Sequence, residues 1–197
     1  MKITFLPLAS RALSTTAALA LLTASALAQA PAPAAPAAPA APAATPAPKP
    51  LNASEKGFIK NTGKSIYYQV QLAAAAKTTV TDEKLVRLRD TVSRDLNKAW
   101  EGLNKIAKQH GETVVGELQG ADKSSVERLG KLKDDKFVKA WLDELSKESK
   151  KLDRDFEMGA KSIQDPDLKT YASNYSALIR NVFTSTEAAE KSFKAKK

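Results

Sequence analysis

The sequence predicts an all-α protein in which four long helices form a bundle. Residues 51–197 contain a single proline, Pro166, and no Asn-Gly or Asp-Gly hairpin turn. Sustained polar/apolar alternation, the mark of a half-buried strand, is also missing from this stretch, whereas apolar residues recur every three or four positions. About 150 residues can bury a sizeable core. We therefore expect residues 51–197 to form the bundle domain.

The first 28 residues have the features of an export signal. Lys2 and Arg11 give a positive start, residues 12–27 are apolar apart from small hydroxyl side chains, and Ala26-Leu27-Ala28 is a small-x-small cleavage pattern. We predict cleavage after Ala28. An uncleaved anchor is the alternative, but the stretch is short and rich in alanine for a span of about 20 residues. The mature protein, without a membrane span, is expected in the periplasm or outside the cell, with outer-membrane association left open.

Residues 29–50 form an Ala/Pro-rich linker. Prolines recur at every third position from Pro33 to Pro42, which matches the three residues per turn of a polyproline II helix. Such a segment buries no apolar area, and about 20 residues in this conformation reach on the order of 60 Å. We interpret it as an extended spacer.

The first two long helices are predicted from capping residues and apolar stripes. Ser54 is the expected N-cap of a helix that runs to about Lys77, and Thr81 is the expected N-cap of the next. Gly111, after His110, suits a left-handed C-terminal cap. The two stripes consist of Ile59, Gly63, Ile66, Val70 and Ala73, and of Leu85, Leu88, Val92, Leu96, Ala99, Leu103 and Ile106.

The second half of the domain begins with a longer connection, residues 112–133, in which Asp122 is expected to cap a short extra helix. Asp134 or Asp135 opens the third long helix. Its apolar positions form two interleaved seven-residue repeats, typical of a bundle seam: Val138, Leu145, Leu152 and Gly159, beside Leu142, Ser149 and Phe156. The fourth helix is predicted to start with Asp165 as N-cap and Pro166 at its first position, where a missing amide is tolerated.

At these helices the chain resembles domain-of-unknown-function family 4142, exported bacterial proteins often described as predicted outer-membrane proteins. The similarity covers about residues 54–190 and implies a ferritin-like four-helix fold. The matching positions are Phe58-Ile59, the run Leu85, Leu88, Val92, Asp95 and Lys98, then Phe137, Phe156-Glu157, Asp165 to Lys169, Tyr171-Ala172 and Ile179-Arg180.

The resemblance raises the question of a metal in the bundle, because the family often carries a Glu or His at one position on each helix. Here those positions hold Gln69, Leu96, Ser149 and Val182. The chain has one His, no Cys and no Glu-x-x-His, the pair that places two ligands of a di-iron bundle on one helix face. We therefore predict no metal, no cofactor and no catalytic residue. His110, at a helix end, is expected near the surface.

A basic stripe, broken by Glu101, is the candidate binding feature of the second helix. The chain has a formal net charge of +9, and such stripes attract phosphate-rich or other anionic surfaces. Export and the lack of aromatic side chains between the cations disfavour a nucleic-acid partner. Elsewhere, acids at helical spacing from lysines predict ion pairs: Glu144 with Lys147, Glu148 with Lys151, and Glu187 with Lys191. The candidate anionic-surface contacts are Arg87, Arg94, Lys98, Lys105 and Lys108.

The function class that fits these features is a non-enzymatic protein of the bacterial cell envelope with a structural, binding or stress-related role. Its expected partner is an envelope protein or an anionic envelope surface, and the oligomeric state stays open. One alternative is a ferritin-like metal-binding protein or oxidoreductase. Another is a small-molecule binder that uses the bundle interior, with aromatic side chains as the pocket lining rather than core: Tyr67, Tyr68, Trp100, Trp141, Tyr171 and Tyr175.

Overall fold

The computed structural model describes residues 49–195. The predicted signal segment, its cleavage after Ala28 and all but the last two residues of the Ala/Pro-rich linker lie outside the described residues. Within the described part every regular element is a helix, so the all-α prediction is confirmed. The helices are α1 Ala53–Ala75, α2 Glu83–Gln109, α3 Gly120–Leu129, α4 Asp134–Ser162 and α5 Pro166–Ala195.

The four long helices pack side by side in a ring. α1 packs against α2 and α4, and α5 packs against the same two helices. α2 and α4 therefore lie on one diagonal of the bundle, and α1 and α5 lie on the other. The short α3 contacts α1 and α4 from outside, so it occupies the predicted connection between the second and third long helices.

The apolar stripes meet at the centre of this ring. The largest side chains with almost no exposure come from α1, α2, α3 and α4. α5 contributes smaller buried side chains, which include Leu168, Ile179 and Val182. Both seven-residue repeats of α4 are buried from Val138 to Gly159, as predicted. The largest buried side chains are Trp141, Tyr68, Phe137, Phe156, Ile59, Ile66, Leu72, Leu96, Leu103, Leu129, Leu142 and Leu145.

Three helix starts differ from the predictions by one to three residues. The short α3 starts after Gln119, so Asp122 lies in its first turn and is not its cap. Asn52, not Ser54, caps α1, because its side chain accepts a hydrogen bond from the Glu55 amide while the Glu55 carboxylate accepts one from the Asn52 amide. Asp82, not Thr81, caps α2. α5 begins as predicted, since the Leu168 amide donates to the Asp165 carboxylate at 2.9 Å.

Glu55 joins the start of α1 to the start of α5. Its side chain is buried, and one carboxylate oxygen accepts hydrogen bonds from the backbone amides of Gln164 at 2.9 Å and Asp165 at 2.8 Å. Burial by itself raises the pKa of this carboxyl, but the three backbone amides that donate to it outweigh burial and lower the pKa below its usual 4.5. Glu55 therefore stays ionised and ties two helix starts together.

His110 corrects one expectation. It lies at the C-terminal end of α2 and is followed by Gly111 with a φ of 70°, the predicted left-handed cap. Its imidazole, however, is 1% exposed and not at the surface. Nδ1 lies 3.2 Å from the Lys49 carbonyl oxygen, and Nε2 lies 3.5 Å from an Asp165 carboxylate oxygen. The ring is buried because it lies between the segment before α1, the C-terminal end of α2 and the start of α5.

None of the helices between residues 49 and 195 combines the length and the apolar character that a membrane span requires.

Candidate anionic-surface interface

The bundle interior contains a small polar network at two of the positions where the family often has ligands. The Ser149 hydroxyl on α4 donates to the Gln69 side-chain oxygen on α1 at 2.8 Å, and both side chains are buried. The Gln69 amide nitrogen lies 3.4 Å from the Ser65 hydroxyl oxygen. The network satisfies neutral polar groups between two helices, which a low-dielectric interior requires.

The other two such positions are apolar. Leu96 and Val182 are buried in the core. The four side chains thus offer one amide oxygen, already hydrogen-bonded, and one hydroxyl, a donor set that does not suit iron or manganese. Within residues 49–195, no three His, Asp or Glu side chains come together in an arrangement that could hold a metal ion.

The aromatic side chains divide between the core and its margin. Tyr68, Trp141 and Tyr171 are buried, and the Tyr171 hydroxyl donates to the Ala99 carbonyl oxygen at 2.9 Å. Burial raises the pKa of Tyr171 well above its usual value, so the hydroxyl remains a donor. Tyr67, Trp100 and Tyr175 are half-buried.

A groove of about 780 Å³ lies at the end of the bundle where α2 and α4 begin. Its floor includes Val80, Leu88 and Phe193, and none of the six aromatic side chains considered for an interior pocket lines it.

The predicted basic stripe lies on the surface of α2. We call its five residues the α2 face: Arg87, Arg94, Lys98, Lys105 and Lys108. All five are exposed, and at 3.6 residues per turn they fall within an arc of about 80° and extend over about 31 Å.

Acids weaken part of the α2 face. Arg87 is paired with Glu83, and Arg94 is paired with Asp95 at 2.7 Å. Lys98, Lys105 and Lys108 have no carboxylate within 4 Å among the described residues. Three unpaired lysines therefore remain available to an anionic partner, with the exposed Glu101 among them on the same arc.

A second basic surface lies on α4. We call its seven residues the α4 face: Lys136, Lys139, Lys147, Lys150, Lys151, Arg154 and Lys161. All seven are exposed, within an arc of about 120° and over about 37 Å of helix. Lys139 is paired with Asp143, with 2.8 Å between its Nζ and the carboxylate oxygen. The other six cations have no carboxylate within 4 Å among the described residues. The α4 face thus presents more unpaired cations than the α2 face.

Two α4 acids, Glu144 and Glu148, turn away from these lysines, so two predicted ion pairs are wrong. Glu144 accepts a hydrogen bond from the Tyr68 hydroxyl at 2.9 Å, and Glu148 lies 3.4 Å from the Ser65 hydroxyl. Both partners belong to α1, and neither acid pairs with Lys147 or Lys151. The third predicted pair, Glu187 with Lys191, is confirmed at 3.3 Å.

The remaining α4 acids face α5 or the helix flank. Asp153 is buried and accepts a hydrogen bond from Arg180 at 2.6 Å, and Glu157 lies 2.9 Å from the same guanidinium. Burial raises the pKa of Asp155, although the nearby Lys151 and Arg154 act in the opposite direction. α4 contains eight acidic and seven basic residues. Its solvent side nevertheless carries an excess of cations, because Glu144 and Glu148 contact α1 and Asp153 is buried against Arg180.

The fold is similar to that of one solved structure, the crystal structure of a DUF305 fragment from Deinococcus radiodurans. The TM-score is 0.63 at 11% sequence identity, and the alignment covers 73% of this chain and 99% of that chain. Identity this low shows a shared fold and nothing more. A comparison with curated proteins gives no match.

A family model agrees with the resemblance that the helix positions indicated. It is described as Domain of unknown function (DUF4142) and matches residues 39–188, which include the whole of α1 to α4 and most of α5. The chain therefore belongs to the DUF4142 family.

Proposed function

We propose that this protein is an exported, non-enzymatic helical-bundle protein of the bacterial cell envelope that adheres to anionic envelope surfaces through its basic helix faces. The α4 face carries this proposal. Six of its seven cations have no carboxylate within 4 Å in the described part of the chain. Cations spread over about 37 Å of one helix side, six of the seven without a carboxylate partner, are suited to a surface of many negative charges.

The strength of such adhesion follows from electrostatics. A cation near an anionic membrane surface contributes about 1 kcal/mol, so one face contributes several. Exposed charges are screened over about 10 Å at 0.1 M salt. Binding should therefore be weak to moderate and should fall steeply as salt is added.

The domain organisation proposed with this function has three parts. A signal segment, residues 1–28, is removed after Ala28. The Ala/Pro-rich linker, residues 29–50, then forms an extended spacer at the new N-terminus and precedes the bundle domain, residues 51–197. The protein would reside in the periplasm or outside the cell, and an envelope protein is the alternative partner.

For the domain we propose the ferritin-like four-helix architecture. The ring of α1, α2, α5 and α4 supports it, as does the position of α3 between the second and third long helices. The packed interior at Gln69, Leu96, Ser149 and Val182 supports a structural rather than a catalytic use of that architecture.

The test is binding of the purified protein to vesicles that contain 30% phosphatidylglycerol in phosphatidylcholine. Cosedimentation at 25 mM salt should recover most of the protein, and at 300 mM salt at least tenfold less. Vesicles of phosphatidylcholine alone are the control and should recover almost none. Absent binding, or binding that salt does not change, contradicts the proposal. Mass spectrometry of the exported protein checks the processing, with Gln29 as the expected first residue.

A further inference from the structure

We infer that one molecule bridges two anionic phospholipid surfaces, with one surface on the α2 face and the other on the α4 face. This inference rests on the proposed function and adds that binding is bivalent. It depends on where the two faces lie in the bundle.

The two faces point in opposite directions. α2 and α4 are diagonal partners in the ring of helices. On α2 the free lysines lie across the helix from core residues such as Leu96 and Leu103, and on α4 Lys147 and Arg154 lie across from Leu145 and Leu152. A cation opposite the core side of its helix points away from the bundle axis, so diagonal helices direct their cations to opposite sides.

On one side of the bundle, the surface of α5 separates the two faces, since α5 contains no charged residue from Thr170 to Ile179. On the other side, the α1 cations Lys56 and Lys64 are paired with Glu112 at 2.7 Å and Asp122 at 3.2 Å, and Lys60 lies exposed between them. The two faces are therefore separated most clearly across α5.

The separation of the faces allows them to act independently. Helix axes about 10 Å apart along the ring, with a radius of about 5 Å for each helix and its side chains, place the faces about 25 Å apart. This distance exceeds the Debye length of about 8 Å at physiological salt. An anionic surface bound to one face would therefore hardly change the electrostatic potential at the opposite face, which stays free to bind a second surface.

A phospholipid surface fits the α4 face better than a dissolved polyanion does. Among the described residues, Met158 is the large apolar side chain that is exposed to solvent, at 68%. It lies on α4 beside Arg154 and Lys161. A thioether among cations can enter the boundary between headgroups and acyl chains while the cations meet phosphates. A polymer in water offers no such apolar layer.

The experiment measures binding and clustering separately, with the purified full protein and vesicles that contain 30% phosphatidylglycerol at 50 mM salt. Cosedimentation reports binding. Energy transfer between donor-labelled and acceptor-labelled vesicles reports clustering. Two triple variants each remove three unpaired cations from one face, and a third is the matched control on α1: Lys98→Gln/Lys105→Gln/Lys108→Gln, Lys147→Gln/Lys150→Gln/Lys151→Gln, and Lys56→Gln/Lys60→Gln/Lys64→Gln. Circular dichroism confirms that each variant is folded.

The wild type and the α1 control should bind and cluster the vesicles. Each single-face variant should still bind, with a loss of three- to tenfold that is larger for the α4 variant, but clustering should fall at least tenfold. The six-substitution variant, which removes three cations from each face, should bind more weakly than either triple variant and should not cluster the vesicles.

Several results would overturn the inference while leaving adhesion intact. One is wild-type protein that binds vesicles without clustering them. Another is a single-face variant that clusters them as well as the wild type does. A dimer in sedimentation velocity would mean that the two faces need not belong to one molecule. Clustering of soluble polyphosphate without binding to vesicles would overturn the lipid assignment. No binding to any anionic probe would contradict the proposed function as well.

Discussion

Single buried side chains decide how the helix ends meet, and Glu55 is the clearest case. One carboxylate accepts hydrogen bonds from the amides of Asn52, Gln164 and Asp165. It thereby satisfies donors at the start of α1 and in the turn before α5, where backbone groups lack helical partners. Neither half of this arrangement was predicted from the sequence: the cap was expected at Ser54 rather than Asn52, and the contact with a turn about 110 residues later depends on how the helices pack.

Glu55→Gln should destabilise the protein at neutral pH by about 2 kcal/mol, because hydrogen bonds to a charged group are lost. The pKa of Glu55 is lowered on folding, so its stabilisation is present above pH 4.5 and is lost as the pH falls through the folded value. Urea unfolding at pH 7 and pH 3 should show that the wild type and the variant differ less in acid. Glu83→Gln, at an exposed site, is the control. An equal difference at both pH values would contradict the prediction.

The pair Ser149 and Gln69 gives a second test at this scale. Ser149→Ala leaves the buried Gln69 oxygen without its 2.8 Å donor, which should cost about 1–3 kcal/mol in the free energy of unfolding. Gln69→Met added to Ser149→Ala removes both polar groups with a side chain of similar length, and should restore most of the loss. Chemical denaturation of both single variants and the double variant completes the cycle. Purely additive losses would show that the two residues do not interact.

At the scale of elements, the contact between α1 and α4 depends on glycine at position 159. A Cβ added there would lie 2.6 Å from the Phe58 ring, and that ring packs edge-on against Phe156 with centroids 5.6 Å apart. The sequence placed Gly159 in the buried seam. The sequence did not indicate which ring packs over Gly159, since Phe58 lies about 100 residues earlier in the chain.

Gly159→Ala should therefore be destabilising. Crowding costs about 1–3 kcal/mol, and the better helix propensity of alanine offsets about 1 kcal/mol of it. Gly57→Ala makes the same change in α1 at a site with no atom within 4 Å, and should stabilise by about 0.5–1 kcal/mol. Thermal unfolding of the two variants should thus give shifts of opposite sign. Equal shifts would show that the Phe58 ring moves aside freely.

Helix periodicity predicted the long helices well because each of them carries its own apolar stripe. Both repeats of α4 and the Asp165-Pro166 start of α5 needed only local information. The α4 face was missed for a different reason. At a spacing of three residues, Glu144 can pair with Lys147 or turn towards Tyr68, and only the neighbouring helix decides between them. A helical projection of the α4 cations alone would have revealed their shared arc.

At the scale of the whole molecule, the packing order of the helices matters more than the total charge. The sequence shows a basic chain and a stripe on α2. It does not show that α2 and α4 are diagonal, because helix order in a ring depends on how the connections cross. That order makes two basic faces point apart, and it changes the expected behaviour from adhesion to bridging.

Three α4 acids, Glu144, Glu148 and Asp153, point towards neighbouring helices while the cations point outward, which gives that helix a charge separation perpendicular to its axis. α2 has a weaker separation of the same kind, with the buried Asp95 inside and lysines outside. Because the two helices are diagonal, these transverse dipoles oppose each other and partly cancel. The domain is then closer to an electrostatic quadrupole than to a dipole. A distant anionic surface would exert little torque on it, and whichever side arrives first would bind.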